Sequence, residues 1–489
     1  MDRRIRRLAL FFVALFVLLF VQINYLQVVD AHNLANNPAN SRLLLQEYDV
    51  QRGQILAADQ RTLLATSKPI KGNLKYLRLY PGHDLYGQLT GYYSLIYGRS
   101  GLESAYNDYL SGRADALLPQ KLVDEILGRP KRGASIVTTI DPTLQKLAVA
   151  QLKGLQGAVV AMDPRSGAIL AMASTPSFDP SPLASHDPSV VHAAWDRLNA
   201  DPSKPFVSKA SQQLFPPGST FKLVTTAAAL QNGMTPDTKF DNPPFLKLPQ
   251  TNNTLSNFGG EHCLGGVPQI TLAQALQVSC NVVFGEIGLK LGADRLVAQA
   301  QKFGFDGNVA FDLPFAEGQI PPASAFAQDL PGVAYSAIGQ QSVGANPLQM
   351  ALIASAIANG GVEMRPRLVA QIRDPSGRVV QSYGPTVYSR PISALTAQEM
   401  TAMMVAVVNA GTGTAAQIPG IQVAGKTGTA QHPGGNPHAW FDCFAPAQNP
   451  QIAVAVVILD GGSLGSDATG GHVAAPIAKA IIQAALGKG

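Results

Sequence analysis

The N-terminal segment sets the first constraint. Residues 8 to 21 read LALFFVALFVLLFV without a break, and after Gln22 and Asn24 the apolar pattern resumes with Tyr25, Leu26, Val28 and Val29. A helix over residues 8–29 would span roughly 33 Å at about 1.5 Å per residue, enough for a bilayer core. Arg3, Arg4, Arg6 and Arg7 stand immediately before it. The positive-inside rule then makes residues 1–7 a cytoplasmic tail, 8–29 a single transmembrane anchor, and everything after it extracytoplasmic. The competing reading is a cleaved signal peptide, with Val29-Asp30-Ala31 as a passable cleavage site. The length of the apolar stretch favours the anchor, and no other segment approaches it.

Beyond the anchor, 489 residues leave room for a large core and a smaller module. Charged residues are only 14% of the chain, but the 46 Gly and 35 Pro are scattered rather than periodic, which excludes collagen-like and low-complexity architectures. The net charge of +5 is concentrated in the N-terminal arginines, so there is no basic face for nucleic acid. Three cysteines exclude a disulfide scaffold and a cysteine-rich zinc module. Outside the cytoplasm thiols oxidise. Cys263 with Cys280 is then the favoured bridge and Cys443 the leftover; three small buried hydrophobes are the alternative.

Residues 30 to about 155 are irregular and relatively polar, with a strand-like run from Ser135 to Ile140 and a Pro/Gly-rich stretch from Gly128 to Gly133. Asp141-Pro142 opens a helix, Asp as N-cap and Pro in the first turn. From about residue 157 the texture changes. Residues 157–163 and 167–173 read as two strands joined by a turn at Pro164–Ser166, and residues 439–445 and 451–459 as two more. The last is continuously apolar, as a central buried strand would be. Pro476 opens a final amphipathic helix ended by Gly487. Strands at both ends of a region with Ala-rich helices between them predict one sheet built from distant segments and covered by helices.

Three short motifs fall inside that region. Pro216-Pro217-Gly218-Ser219-Thr220-Phe221-Lys222 precedes an Ala-rich helix that must start near Gly218 or Ser219, because the prolines cannot continue an earlier one. Ser219 then lies at free backbone N–H groups, with Lys222 one turn later on the same face. A neutral lysine there can take the serine proton. Ser279-Cys280-Asn281 follows the helical stretch Leu272–Val278, and Ser279 and Asn281 both face one cleft if they alternate around Cys280. Val423 to Ala430 reads as a strand in which Gly425 and Gly428 flank Lys426-Thr427, and glycine in a strand permits close approach of a ligand backbone. Each motif alone is weak: an N-cap serine, a polar helix end and an edge-strand lysine are common.

Their order is far more specific. Ser-x-x-Lys, Ser-x-Asn and Lys-Thr-Gly form a set shared by penicillin-binding proteins and class A β-lactamases. Over roughly residues 155–489 the chain resembles the class B penicillin-binding protein transpeptidases. Arg52-Gly53-Gln54-Ile55-Leu56, Gly101-Leu102-Glu103 with Tyr106, and Thr139-Ile140-Asp141 with Leu144-Gln145 are similar to that family's N-terminal module. Pro347-Leu348-Gln349-Met350 and Ala358-Asn359-Gly360-Gly361 also fit. Where the family has Asp-Arg-x-Gly, this chain has Ala58-Asp59-Gln60-Arg61-Thr62.

The resemblance implies an α/β (α+β) fold: an antiparallel sheet sandwiched by helices over residues 156–489, with a pedestal or dimerisation-like module over 30–155. It implies a peptidoglycan D,D-transpeptidase acting on stem peptides ending in D-Ala-D-Ala and acylated by β-lactam antibiotics. Ser219 is then the nucleophile, Lys222 its base, and Ser279 the proton relay to the leaving D-Ala. Asn281 holds the donor amide. Lys426, Thr427 and Thr429 hold the substrate carboxylate, and Gly428 lets the peptide lie along the strand. The N–H groups of Ser219 and Thr429 form the oxyanion hole. No cofactor or metal is implied; His432, His438 and His262 read as solvated loop histidines. The partners implied are the cytoplasmic membrane and a membrane glycan polymerase. A β-lactamase or carboxypeptidase on the same fold, and a non-catalytic sensor, are the alternatives. The stretch before residue 156 is too short for a second catalytic domain as well as a pedestal.

Overall fold

The structure is a computed structural model that describes residues 3–30, 47–72 and 74–487. The first two residues of the expected tail, Ala31 of the alternative cleavage site and the start of the expected pedestal (31–46) lie outside the described residues.

Helix α1 (Arg3–Asn24) runs on through a wider turn at Tyr25–Val29. Its apolar side chains are exposed on every side, and by length and composition it is long enough to cross a membrane. A helix apolar all round has no polar face to give to water, which is the pattern of a lipid-facing span.

The pedestal is built on a six-stranded sheet in the order Val379–Ser382, Val369–Arg373, Ser135–Thr138, Ile55–Leu56, Leu63–Pro69, Tyr76–Leu79. Two of these strands come from far downstream. Ser135–Thr138 pairs parallel with Ile55–Leu56 on one side and antiparallel with Val369–Arg373 on the other. The change of texture near residue 155 is thus not a boundary in space, because a hairpin from the C-terminal region completes the pedestal sheet. The sequence Ala58–Thr62 still makes its turn. Asp59 Oδ1 accepts from the N–H groups of Arg61 (3.0 Å) and Thr62 (2.9 Å), and Gln60 takes a φ of +60°.

Beneath that sheet lies a buried ionic cluster. Glu103, with no accessible surface, accepts from Arg52 Nε and Arg78 Nε, each at 2.6 Å. Arg52 also donates to Asn107 Oδ1 (2.8 Å), and Arg78 to Gly53 O (2.7 Å). Burial pushes the Glu103 carboxyl up, but Arg78 and Arg52 outweigh it and hold it below its ordinary 4.5.

Asp141 caps α2 (Pro142–Gln151) through the N–H groups of Thr143 and Leu144. The head follows. Its strands β1 (Gly157–Met162), β2 (Ile169–Thr175), β3 (Ala424–Ala430), β4 (His438–Ala445) and β5 (Ile452–Ile458) form one antiparallel sheet in the order β3-β4-β5-β1-β2. Its main helices include α3 (Lys222–Gln231), α4 (Asn281–Lys302), α5 (Pro347–Ala358), α6 (Ala394–Ala410) and α7 (Ala475–Ala485). Alternation along the strands sorts two cores. Val159, Phe441, Val454 and Val456 pack with Leu144 and Ala148 of α2 and Ile477 and Ile481 of α7. Val160, Trp440, Phe444, Ala455 and Val457 pack with α3 to α6. Covered on both faces, β5 is buried throughout, which explains its unbroken apolar sequence. The fold is thus the expected antiparallel sheet between helical layers. β2 starts later than the sequence suggests: Ala168 just before it bridges to Arg367, and its first residue, Ile169, donates its N–H to Arg367 O.

Removing Glu103 leaves two buried guanidinium groups facing each other. Glu103→Ala is expected to cost about 3–5 kcal/mol, read as a lowered urea midpoint for the pedestal. Because the folded carboxyl titrates below 4.5, its contribution is whole above pH 4.5 and is lost as the pH falls through the folded value.

Candidate active site

The approach to Ser219 is pinned from three sides. Trp440 Nε1 donates to Pro216 O (3.0 Å). Gly218 N–H donates to Gly339 O (2.9 Å). Gly218 itself has a φ of +53°, and a side chain there would meet Thr429 O at 2.7 Å. Only glycine meets both demands. The expected helix start appears as a 3-10 turn, Gly218–Phe221, running into α3 at Lys222. Ser219 is half-buried, whereas Lys222 has no accessible surface.

Lys222 Nζ reaches three acceptors: Ser279 O (2.7 Å), Ser279 Oγ (3.2 Å) and Asn281 Oδ1 (2.8 Å). The second motif is therefore in contact with the first. Ser279 holds a φ of +60°, a conformation that costs a non-glycine residue about 1 kcal/mol. It lets residue 279 present both its carbonyl and its hydroxyl to one amine. The segment is held by Asn257, whose Oδ1 accepts from Val282 N–H (3.0 Å) at the start of α4, and by Asn281 Nδ2 donating to Ser256 O (3.2 Å). Cys263 and Cys280 form a disulfide with their Cα atoms 5.9 Å apart, tying the residue between Ser279 and Asn281 to the loop at 263. Cys443 is a buried free thiol on β4.

The third motif closes the ring. Lys426 Nζ donates to Ser279 Oγ (2.9 Å) and Thr427 O (2.8 Å), so that hydroxyl lies between two lysine amines. Thr427 Oγ1 pairs with Thr412 Oγ1 at 2.5 Å. Thr429 backs onto Gly218. A side chain on Gly428 would meet Pro217 O and Thr220 Cγ2, each at 2.9 Å. The sequence reading gave this glycine to an approaching ligand; the structure shows the nucleophile turn itself as the close neighbour.

Burial drives the electrostatics. It pushes the Lys222 amine well below its ordinary 10.5, and the nearby Lys426 pushes it further. Burial lowers Lys426 to about 7, against the pull of Asp442. Asp442, fully buried on β4, is pushed well above the usual carboxylate range by the same desolvation.

Four supporting residues escaped the sequence reading: Thr412, Asn257, Trp440 and Asp442. Of these only Asp442 carried a visible sign, a charge inside a strand otherwise read as apolar. The histidines need correction. His438 is buried and stacked on His432 (4.1 Å between centroids) rather than solvated, and burial lowers it to about 4. His432 Nε2 is 2.8 Å from Asp460 Oδ1, and Asp460 N–H donates to His438 Nδ1 (3.2 Å). Asp460 joins them only because β4 and β5 are neighbours. His262 lies elsewhere, against Asn242 O.

Residues 157–483 match the profile of the penicillin binding protein transpeptidase domain, and residues 52–136 that of the penicillin binding protein A dimerisation domain. The chain is 43% identical to the peptidoglycan D,D-transpeptidase PbpA of Mycolicibacterium smegmatis over 100% of both chains. It is 41% identical to the protein of that name from Mycobacterium tuberculosis over 99% of both. The structure superposes on penicillin-binding protein A from M. tuberculosis in its ceftriaxone acyl-enzyme complex with a TM-score of 0.86 at 40% identity, covering 90% of this chain and 100% of that one. The penicillin G acyl-enzyme complex of the same protein gives 0.84 at 40% identity over 89% and 100%. Sequence along its whole length, fold and the convergence of the three motifs agree: the chain belongs to the penicillin-binding protein transpeptidases.

Proposed function

We propose that this protein is a membrane-anchored peptidoglycan D,D-transpeptidase that works through a Ser219 acyl-enzyme. The observation that carries the reading is the Ser279 hydroxyl held between Lys426 and Lys222, at 2.9 and 3.2 Å, with Lys222 itself one helical turn from Ser219. Relatives named as D,D-transpeptidases and a neighbouring fold captured as a β-lactam acyl-enzyme support it.

Lys222 has three acceptors around it, and a neutral amine has only two protons to give. Deprotonated, it keeps a lone pair for the Ser219 proton. Ser219 Oγ attacks the penultimate D-Ala carbonyl, the C–N bond to the terminal D-Ala breaks, and the proton passes through Ser279 Oγ to the leaving nitrogen. An amine of a neighbouring stem peptide then attacks the ester and returns the hydroxyl. β3 is the edge strand of its sheet, so a peptide can add alongside it. Lys426, Thr427 and Thr429 then hold the substrate carboxylate, and Asn281 the donor amide. The N–H groups of Ser219 and Thr429, brought together by the missing side chain of Gly218, serve as oxyanion donors worth about 3 kcal/mol each.

The N-terminal arginines place the tail in the cytoplasm and the catalytic head outside, and the Cys263–Cys280 bridge suits an oxidising compartment. Residues 30–155 act as a pedestal between bilayer and head. The glycan strands to be cross-linked come from a membrane glycan polymerase working beside it.

In the detergent-solubilised full chain, Ser219→Ala should abolish covalent labelling by a fluorescent penicillin; persisting label at another residue would remove the nucleophile. Lys222→Ala should slow acylation about 10²–10⁴-fold with the thermal transition retained. The penicilloyl-enzyme should last for hours; decay in seconds would make the protein a hydrolase. The Cys263→Ser/Cys280→Ser double variant should lose about 2–4 kcal/mol of stability, measured by denaturant unfolding without reductant.

A further inference from the structure

A cavity of about 300 Å³ lies where the pedestal meets the head, and none of the three motifs lines it. The two modules press together there. A side chain on Gly87 of the pedestal would collide with Phe178 O of the head, and Gln88 Nε2 donates to Pro205 O. The apolar walls are aromatic: Tyr92 comes from the pedestal, and Phe178, Trp195 and Phe206 come from the head. Trp195, on the helix Pro188–Ala200, is stacked on Tyr97 with 3.9 Å between ring centroids and 8° between ring planes. That stack fixes the indole in one orientation. The rings form a small core of their own, separate from the two cores of the head. A core packed for stability alone would close over such a space, since protein interiors are filled to crystal density.

The remaining lining is polar and uncharged, with no acid, lysine, arginine or histidine among the described residues. Ser208 is 3% exposed, and its Oγ has no hydrogen-bond partner among the described residues. A buried hydroxyl left in that state destabilises the fold, and a ligand can relieve it. Gln212 Oε1 accepts from Ser208 N–H (2.8 Å), which leaves its Nε2 to donate. Asn199 Nδ2 donates to Trp195 O (2.9 Å), which leaves its Oδ1 to accept.

We propose that this cavity is a subsite for an uncharged N-acetylated sugar of the glycan strand. The choice of that sugar rests on the transpeptidase reading of the active site. A sugar ring has C–H faces that lie on aromatic rings and a rim of hydroxyls that need partners. Its acetamido group adds one N–H and one C=O, the complement of Asn199 Oδ1 and Gln212 Nε2. Without a charged side chain the cavity has nothing to hold a phosphate or a carboxylate. Gln212 precedes Ser219 by seven residues, so the two are at most about 25 Å apart. A substrate that carries glycan and peptide together can touch both. Held by its sugar, it presents the stem peptide to Ser219 at a raised local concentration.

The test keeps the full chain in a polyoxyethylene detergent, which has no sugar head group. It is titrated calorimetrically with tri-N-acetylchitotriose and with cellotriose, which has the same linkage and no acetamido groups. The first should bind saturably and about tenfold more tightly than the second. Ser208→Ala should weaken that binding about three- to tenfold. The lost hydroxyl has no protein partner, so this variant should melt as wild type does. Trp195→Ala should weaken binding about tenfold; if it does not fold, Ser208→Ala decides. No saturable binding, equal binding of the two sugars, or undiminished binding by folded Ser208→Ala would overturn the proposal and leave the cavity to water. Failure of the transpeptidase reading is seen separately, as wild type that penicillin does not acylate at Ser219, whatever the sugar titration shows.

Discussion

Two lysine amines without accessible surface share one serine hydroxyl, and the rest of the head is arranged to make that tolerable. An ammonium removed from water costs several kcal/mol unless something answers it. Burial pushes the Lys222 amine well below its ordinary 10.5, the direction that a general base requires. Burial lowers Lys426 to about 7 as well. The same low-dielectric setting that makes the arrangement costly also strengthens each hydrogen bond within it. Positional accuracy follows from this. A centre that depends on three acceptors around Lys222 Nζ cannot drift, and Gly218, Trp440, Asn257 and the Cys263–Cys280 bridge each fix one of the segments that meet there.

The site brings together chain segments that are distant in sequence. α3 supplies Ser219 on its leading turn and Lys222 at its first residue, the approach to α4 supplies Ser279 and Asn281, and β3 supplies Lys426 to Thr429. The sheet is the reference frame. β3 lies on its edge, where a peptide can pair with it, while β4 behind it carries both Trp440, which anchors the nucleophile turn, and Asp442. One strand thus anchors the nucleophile turn from behind the edge.

Much of this was legible in the sequence, for definite reasons. The β5 strand announced itself by an unbroken apolar run, α2 by its Asp-Pro start, and the catalytic triplet by the order of three motifs. What was hidden depends on pairing across the sheet. That Asp442 lies opposite Lys426 follows from strand register, which no local pattern reveals. His438 looked like a loop residue because Pro433 to Pro437 precede it, yet it opens β4 and is buried. The Ser279 backbone, left-handed at a non-glycine residue, had no sequence sign, since the strain is held in place by neighbours that come from elsewhere in the chain. Gly428 was noticed, but its close approach to the nucleophile turn at Pro217 and Thr220 had no sign in the sequence.

The shared pedestal sheet bears on how the molecule is made. A chain made from its N-terminus presents Ser135–Thr138 long before Val369–Arg373, the strand that must lie against it. Until then the sheet presents an open edge, able to pair with any extended chain nearby. The N-terminal sheet is therefore among the last parts to be finished, and its completion waits on most of the head having been made. Synthesis order and folding order run opposite ways here, and a chaperone would find its substrate at that unfilled edge.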